Sequence, residues 1–462
     1  MNKWKEMVSA RMPVAIEMLQ TYCRQPSISA QNVGIAETVH MVRSMIESVG
    51  GHVETLDGGG YPVLCATFEA GPKGNPNKTL LFYNHYDVQP PEPLDAWTVE
   101  PFGANIVDGK LYARGVADNK GDLIVRLNAV ALHQAQGGLP CRVKWLIEGE
   151  EEIGSPTLET VLRQHADLFA ADACIWEFGH KDAQERPEMV AGIKGMCYLQ
   201  FWCDGADVDC HSSLGAIFDN AAWRLVQALG SMRTVENRIT VEGFYDDVVT
   251  PSTALTEIAH RLSYNVESAN KIYGLKRPLI VSDDQIMTSL LYEPTMTLCG
   301  IESGYTGPGS KTVLPRRAQA KVDCRMVPNQ DPDDILRKVR RHLDAHGFDD
   351  VSVSLVNGQK AYRCDMDDPF IATVLETARQ AYGVEPVLWP NSAGTGPMYA
   401  FGEHLHAPIV STGCGWYNSR AHAPDESVRI ADVEEGMLHM VYLLEAFGRA
   451  DVEPNGRTEI PG

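Results

Sequence analysis

The chain has 462 residues, 44% of them hydrophobic and 8% aromatic, which predicts two domains, or one with a large insertion, and excludes an extended disordered chain. Its 61 acidic against 40 basic residues leave a net charge of -21, which argues against a nucleic-acid partner, since phosphate binding needs clustered Lys and Arg. Its 11 cysteines form no CxxC pair and no stretch approaches the ~18 apolar residues of a membrane span, so reduced thiols in the cytoplasm are expected, not a disulfide framework or a membrane anchor.

The N-terminal run MNKWKEMVSARMPVAIEMLQ interleaves charged and apolar residues at helical spacing and lacks the continuous apolar stretch of an export signal. Residues 78 to 190 alternate strand-like and helix-like segments. KTLLFYNHYDV reads as a buried strand, KGDLIVRLNAVALHQAQ as a helix ended by Gly137 and Gly138, and CRVKWLI and ADACIWEF as two further strands. That order predicts βαβ units and an α/β domain with a mixed, mostly parallel sheet. From Gly192 the texture becomes strand (GMCYLQFWCDG), helix (NAAWRLVQALGSM), a long irregular middle, strand (RAQAKVDCRMVP), helix (from Asp333) and strand (DVSVSLVNG). Residues 192–365 therefore read as an inserted α+β unit of ferredoxin-like type, between residues 1–191 and 366–462 of the first domain. DPFIATVLETARQAYG and ADVEEGMLHMVYLLEAFG read as helices of the resumed domain.

The chemistry concentrates where strands end. IEGEEEIGS places Glu148, Glu150, Glu151 and Glu152 directly after CRVKWLI, and crowded carboxylates are costly unless a proton or a cation compensates them. His85 and Asp87 follow LLFYN, and Glu177 follows ACIW. In an open α/β sheet the crevice beyond the carboxyl ends of the strands is where ligands bind. Residues two apart on a strand share a face, so Asp87 is expected to accept a hydrogen bond from His85 and fix its tautomer. LYARGVADNKG brings Asp118 to the same rim, and STGCGWYNSRAHAPDE offers His422. Each residue alone is better explained as a satisfied histidine or a solvated acid; together they make an oxygen and imidazole set suited to zinc, cobalt or manganese.

HYD at 85 to 87, ARGVADNKG at 113 to 121, EEIGS at 151 to 155 and AHAPDE at 421 to 426 resemble, in order, the motifs of the M20 family of metallopeptidases and deacylases. The resemblance spans nearly the whole chain. It implies two zinc ions (cobalt or manganese being alternatives) bridged by Asp118, with His85 and Glu177 on one ion, Glu152 and His422 on the other, and Glu151 unligated as the general base. It also implies a cis peptide between Asp118 and Asn119, a dimerisation or lid role for the inserted domain, and a homodimer. His211 in DVDCHSSLG would then reach across the dimer to the tetrahedral intermediate, and Arg325 in KVDCRMVP would hold a substrate carboxylate. Read without the resemblance, His211 is an ordinary loop histidine and Arg325 a surface ion pair. PNSAGTGPMY, with Gly394 and Gly396, is placed beside the same substrate pocket because glycine permits close backbone approach. Glu148 and Glu150 are read as supporting or solvated acids.

The long run around HYD resembles the dipeptidase branch, whereas Glu177 stands where that branch usually shows Asp and is more similar to the carboxypeptidase and deacylase branches. The expected activity is therefore hydrolysis of the amide bond in a dipeptide or short peptide with a free carboxylate. The alternatives are an N-acyl-amino-acid deacylase with the same site and a silent scaffold of the same fold. GYTGPGSKT at 304 to 312 misses a P-loop by one residue, and HExxH, GxSxG and GxGxxG are absent.

Overall fold

A computed structural model describes residues 3–449 except 265, 268–273, 278 and 280–281. The chain divides into two compact units: one runs to Ala191 and includes Cys364–Trp389 and the chain from Ala400, and the other comprises Gly192–Arg363 and Pro390–Tyr399. The segment Pro390–Tyr399, read from the sequence as part of the returning first domain, thus groups with the second unit.

The first unit is built on six strands in the order His52–Leu56, Val63–Phe68, Leu139–Glu148, Ala70–His85, Ala173–Trp176 and Ile409–Ser411. The last four are mutually parallel and the first two antiparallel to their neighbours, the mixed, mostly parallel sheet expected. Leu80, Leu81, Phe82 and Tyr83 are fully buried, as in a central parallel strand covered on both faces. The Ile430–Arg449 helix lies against the Leu139–Glu148 and Ala70–His85 strands, beside helices Lys3–Arg24, Gly121–Ala135 and Pro369–Tyr382. Gly137 and Gly138 stand at φ 107° and 112° between the Gly121–Ala135 helix and the next strand, a conformation that strains any residue with a Cβ. Register sets the carboxyl ends side by side: His85 opposite Glu148, Phe82 opposite Ile175, and Trp176 opposite Ser411.

The second unit has a fully antiparallel four-stranded sheet in the order Thr297–Ser303, Arg317–Met326, Gly195–Asp204, Val351–Gln359. Alternation along Gly195–Asp204 turns Cys197, Leu199, Phe201 and Cys203 into a core shared with Leu225 and Ala228 of helix Ala221–Ser231. Ile335, Val339 and Leu343 of helix Pro332–Ala345 complete it. Asp331 caps the latter helix by accepting from the amides of Asp333 and Asp334. The Thr297–Ser303 strand was hidden in the irregular middle of the sequence, because its edge position leaves no buried face to impose alternation. Among the described residues no helix is long and apolar enough to cross a membrane.

Candidate active site

Every metal-capable residue singled out in the sequence from the first unit converges beyond the strand ends. His85 closes its strand, Glu151 and Glu152 sit in a short helical turn after Glu148, and Glu177 directly follows Trp176. Asp118 lies in the loop before helix Gly121–Ala135, and the Asp118–Asn119 peptide is cis. His422 comes from the loop between strands Gly415–Trp416 and Ser427–Arg429, at φ 62°. Asp118 stands between the two imidazoles, with Oδ1 at 3.0 Å from His85 Nε2 and Oδ2 at 3.0 Å from His422 Nε2. Glu177 Oε2 is 3.4 Å from His85 Nε2, and Glu152 Oε2 is 3.1 Å from His422 Nε2. Candidate ligand atoms fall into two sets, His85 with Glu151 and Glu177, and Asp118 with Glu152 and His422, each within 4.8 Å of one another.

The electrostatics are those of a site that expects a cation. Four carboxylates (Asp118, Glu151, Glu152, Glu177) face two imidazoles, and no lysine or arginine among the described residues hydrogen-bonds to any of the four. Burial alone would lower His85, but Glu177, Asp118 and Asp87 outweigh it and hold the ring well above its ordinary value. Hydrogen bonds to Asp118 and Glu152 raise His422 to about 10. Burial, opposed by His85 and reinforced by Asp118 and Glu152, pushes Glu151 up to about 8. Burial likewise pushes Glu177 well above the carboxylate range. Burial works against ionising Asp118 as well, but its two imidazole partners prevail and hold it below the usual value. The oxygen and nitrogen donors, without thiolate, fit hard to borderline divalent cations such as zinc, cobalt or manganese.

A surrounding layer fixes these groups. The Ala70–His85 strand stops before Asp87, and His85 Nδ1 lies 2.9 Å from the Asp87 carbonyl oxygen and 3.2 Å from its Oδ1. The ring nitrogen thus bonds the Asp87 backbone oxygen, and Asp87 Oδ1 has no hydrogen-bond partner among the described residues. Asp87 Oδ2 also accepts from the Glu152 amide at 3.0 Å, so one residue orients a ligand in each half of the site. Gln89 donates to Glu152 Oε1 from its backbone and to Oε2 from its side chain, at 3.2 and 2.9 Å. Glu148 and Glu150 are buried, not solvated. Glu148 accepts from Tyr83 and Ser155 at 2.7 and 2.9 Å, and Glu150 accepts from the Tyr61 amide and Thr157. Glu426 accepts from Arg114 at 2.7 Å and from the amides of Gly115, Ala117 and Asp118 at 2.9, 2.9 and 3.1 Å. Sequence reasoning gave no role to Gln89, Glu426 or Arg114, although Arg114 and Glu426 lie within quoted motifs and Gln89 two residues after one.

His211, Arg325 and Gly394 lie in the second unit, not with this cluster's elements. His211 caps a short helical turn: the Ser213 amide donates to its Nδ1 at 3.2 Å, which leaves the neutral ring's proton on Nε2. Arg325 bonds Asp323 Oδ2 at 2.9 Å through Nε and Thr395 Oγ1 at 2.8 Å through Nη1, so the Pro390–Tyr399 segment does reach it. Gly394 gives its carbonyl to the Lys194 amide at 3.0 Å; its φ is not positive and a Cβ there would meet only Ser392 Oγ, at 3.3 Å, so nothing in its conformation demands glycine.

A parallel sheet that delivers two sets of carboxylate and imidazole donors around one shared aspartate is the framework of a metal-dependent hydrolase. Residues 81–446 match Peptidase family M20/M25/M40, and the chain belongs to that family. The chain is 27% identical over 421 residues to the Beta-Ala-His dipeptidase of Rattus norvegicus, covering 87% of this chain and 85% of the relative. It is 26% identical over 407 residues to the Cys-Gly metallodipeptidase of Saccharomyces cerevisiae, covering 84% and 82%. Among solved structures, the M20 family metallo-carboxypeptidase of Sulfolobus solfataricus superposes with a TM-score of 0.85 at 36% identity, covering 97% of this chain and all of that one (100%). Human carnosine dipeptidase 1 superposes with a TM-score of 0.77 at 25% identity, covering 97% and 99%. The protein is thus a metal-dependent peptidase.

Proposed function

We propose that this chain is a two-zinc exopeptidase that cleaves the amide bond of a dipeptide or short peptide carrying a free carboxylate. The observation that carries the reading is Asp118, whose two oxygens each face a different imidazole at 3.0 Å. His85 and Glu177 would hold one ion, Glu152 and His422 the other, and Asp118 both. When bound, such a pair acidifies a water and polarises the scissile carbonyl. The Glu151 carboxylate accepts no hydrogen bond from the described residues, which leaves it able to take the water's proton and pass it to the leaving amine.

Arg325 suits a substrate carboxylate, since its planar fork can pair with two oxygens. His211, with its proton on Nε2, is a donor suited to a developing oxyanion. The βαββαβ order of the second unit supports a ferredoxin-like inserted domain. Its edge strand Thr297–Ser303 is exposed along almost all its length, and Trp223 and Val226 of the Ala221–Ser231 helix are also exposed, a surface that supports homodimerisation. All the described cysteines are free, in keeping with a cytoplasmic setting. Both the carboxypeptidase and the dipeptidases among the similar proteins fit a substrate with a free carboxylate.

Glu151→Gln tests the mechanism: kcat should fall by roughly 10²- to 10⁴-fold while the zinc content stays that of the parent chain. Retained turnover rejects Glu151 as the base. Release of amino acids from a dipeptide panel, measured against N-acyl amino acids, separates the peptidase from the deacylase.

A further inference from the structure

We infer that Asn84 and Asn119 are positioning residues that aim Glu177 at one half of the metal site through a one-directional hydrogen-bond chain starting at the buried Arg126; this rests on the two-metal reading above. Arg126 is 1% exposed and forms no hydrogen bond to a carboxylate among the described residues. Its Nη1 donates to the Tyr83 carbonyl at 2.5 Å and to Asn84 Oδ1 at 2.6 Å; its Nη2 donates to the carbonyls of Trp176 and Thr412 at 2.5 and 3.2 Å. One guanidinium therefore ties together the carboxyl ends of three strands, the rim on which the site stands.

The polarity of each hydrogen bond from Arg126 to Glu177 is forced. Arginine and the tryptophan ring nitrogen can only donate. Asn84 Oδ1 receives both Arg126 Nη1 and, at 2.9 Å, Trp145 Nε1. The Asn84 amide must then turn its Nδ2 the other way, where it donates to Asn119 Oδ1 at 2.7 Å. That contact in turn directs Asn119 Nδ2 at Glu177 Oε2, at 2.8 Å. The same carboxylate oxygen is the one 3.4 Å from His85 Nε2. Asn84 and Asn119 are both fully buried, so neither has water as an alternative partner.

The chain is also selective. Asn84 directly precedes His85, Asn119 directly follows Asp118, and the line ends on Glu177; none of its members hydrogen-bonds to Glu152 or His422, which are held instead by Gln89 and Asp118. Loss of the chain should thus loosen one ion and spare the other, an asymmetry that general destabilisation would not produce.

The test is titration of metal-depleted full-length protein with cobalt(II) chloride, followed by visible absorption and calorimetry. Asn84→Asp keeps the shape but replaces the donor with an acceptor, and Asn119→Ser removes the donor to Glu177 without adding bulk. In each, one equivalent should bind as in the parent chain and the second 10- to 100-fold more weakly. Asn128→Asp is the control: Asn128 is a fully buried asparagine of the same Gly121–Ala135 helix as Arg126, paired with Arg11 and the Ile124 carbonyl, outside the chain. It should leave both affinities unchanged. Two equivalents bound with parental affinity in the Asn84 and Asn119 variants, or equal weakening of both, would overturn the inference. If Asn84→Asp fails to fold by circular dichroism, Asn119→Ser decides alone. Fewer than two equivalents on the parent chain would instead reject the two-metal reading itself.

Discussion

Buried histidines do two different jobs in this chain, and their partners decide which. His85 sits among Asp87, Asp118 and Glu177, whose negative charge holds the ring well above its ordinary value. His439 is equally buried, but its Nε2 meets the Val374 carbonyl at 3.3 Å and its Nδ1 the Thr412 hydroxyl at 3.1 Å, with no carboxylate partner. Burial lowers it to about 4. Its folded pKa is then below the unfolded value of about 6.5, so the unfolded chain binds more protons between the two, and the stability His439 contributes is complete above 6.5 and lost as pH falls toward 4. The loss attributable to this ring is on the order of 3 kcal/mol. In urea denaturation, His439→Gln should show a smaller fall in stability from pH 7 to pH 5 than the parent chain; an identical fall excludes the assignment.

At the scale of elements, the site is made by loops that leave parallel strands together and are pinned to one another. Glu426 is the chief pin: it lies four residues after His422 and grips the start of the Asp118 loop through the Arg114 side chain and the amides of Gly115, Ala117 and Asp118. Arg114 is buried over the Trp97 ring at 5.3 Å, and Glu426 is 1% exposed. Removing one partner of a buried pair strands the other charge, so Arg114→Met should cost roughly 3–5 kcal/mol in denaturant unfolding. Gly115→Ala should be nearly as damaging, because φ is 79° and the new Cβ would fall 2.1 Å from Val88 Cγ1. A stability unchanged by either substitution would mean that the loop is not pinned in this way.

At the scale of the whole molecule, His211 tests whether the proposed chemistry needs two chains. His211→Ala should impair turnover without loss of metal, and mixed dimers of His211→Ala with Glu151→Gln chains should regain part of the activity. No regain counts against a shared site. Ile301→Lys, on the exposed edge strand, should shift sedimentation toward monomer and lower turnover together; a monomer as active as the parent would sever the two.

The sequence alone determined the chemical inventory. His85, Asp118, Glu151, Glu152, Glu177 and His422 are legible because strand periodicity stops abruptly at residues no apolar core would tolerate, and because their motifs follow one another in a recognisable order. The mixed sheet was legible for the same reason, since a strand buried on both faces must be apolar throughout. What only the tertiary structure decided is direction and partnership. Asn84, Asn119 and Arg126 look unremarkable in a strand, a turn and a helix, and Glu426 like one more acid in a loop. Their roles arise from hydrogen bonds that span 35 to 312 residues of chain, and a hydrogen bond has a donor end and an acceptor end that no local pattern records.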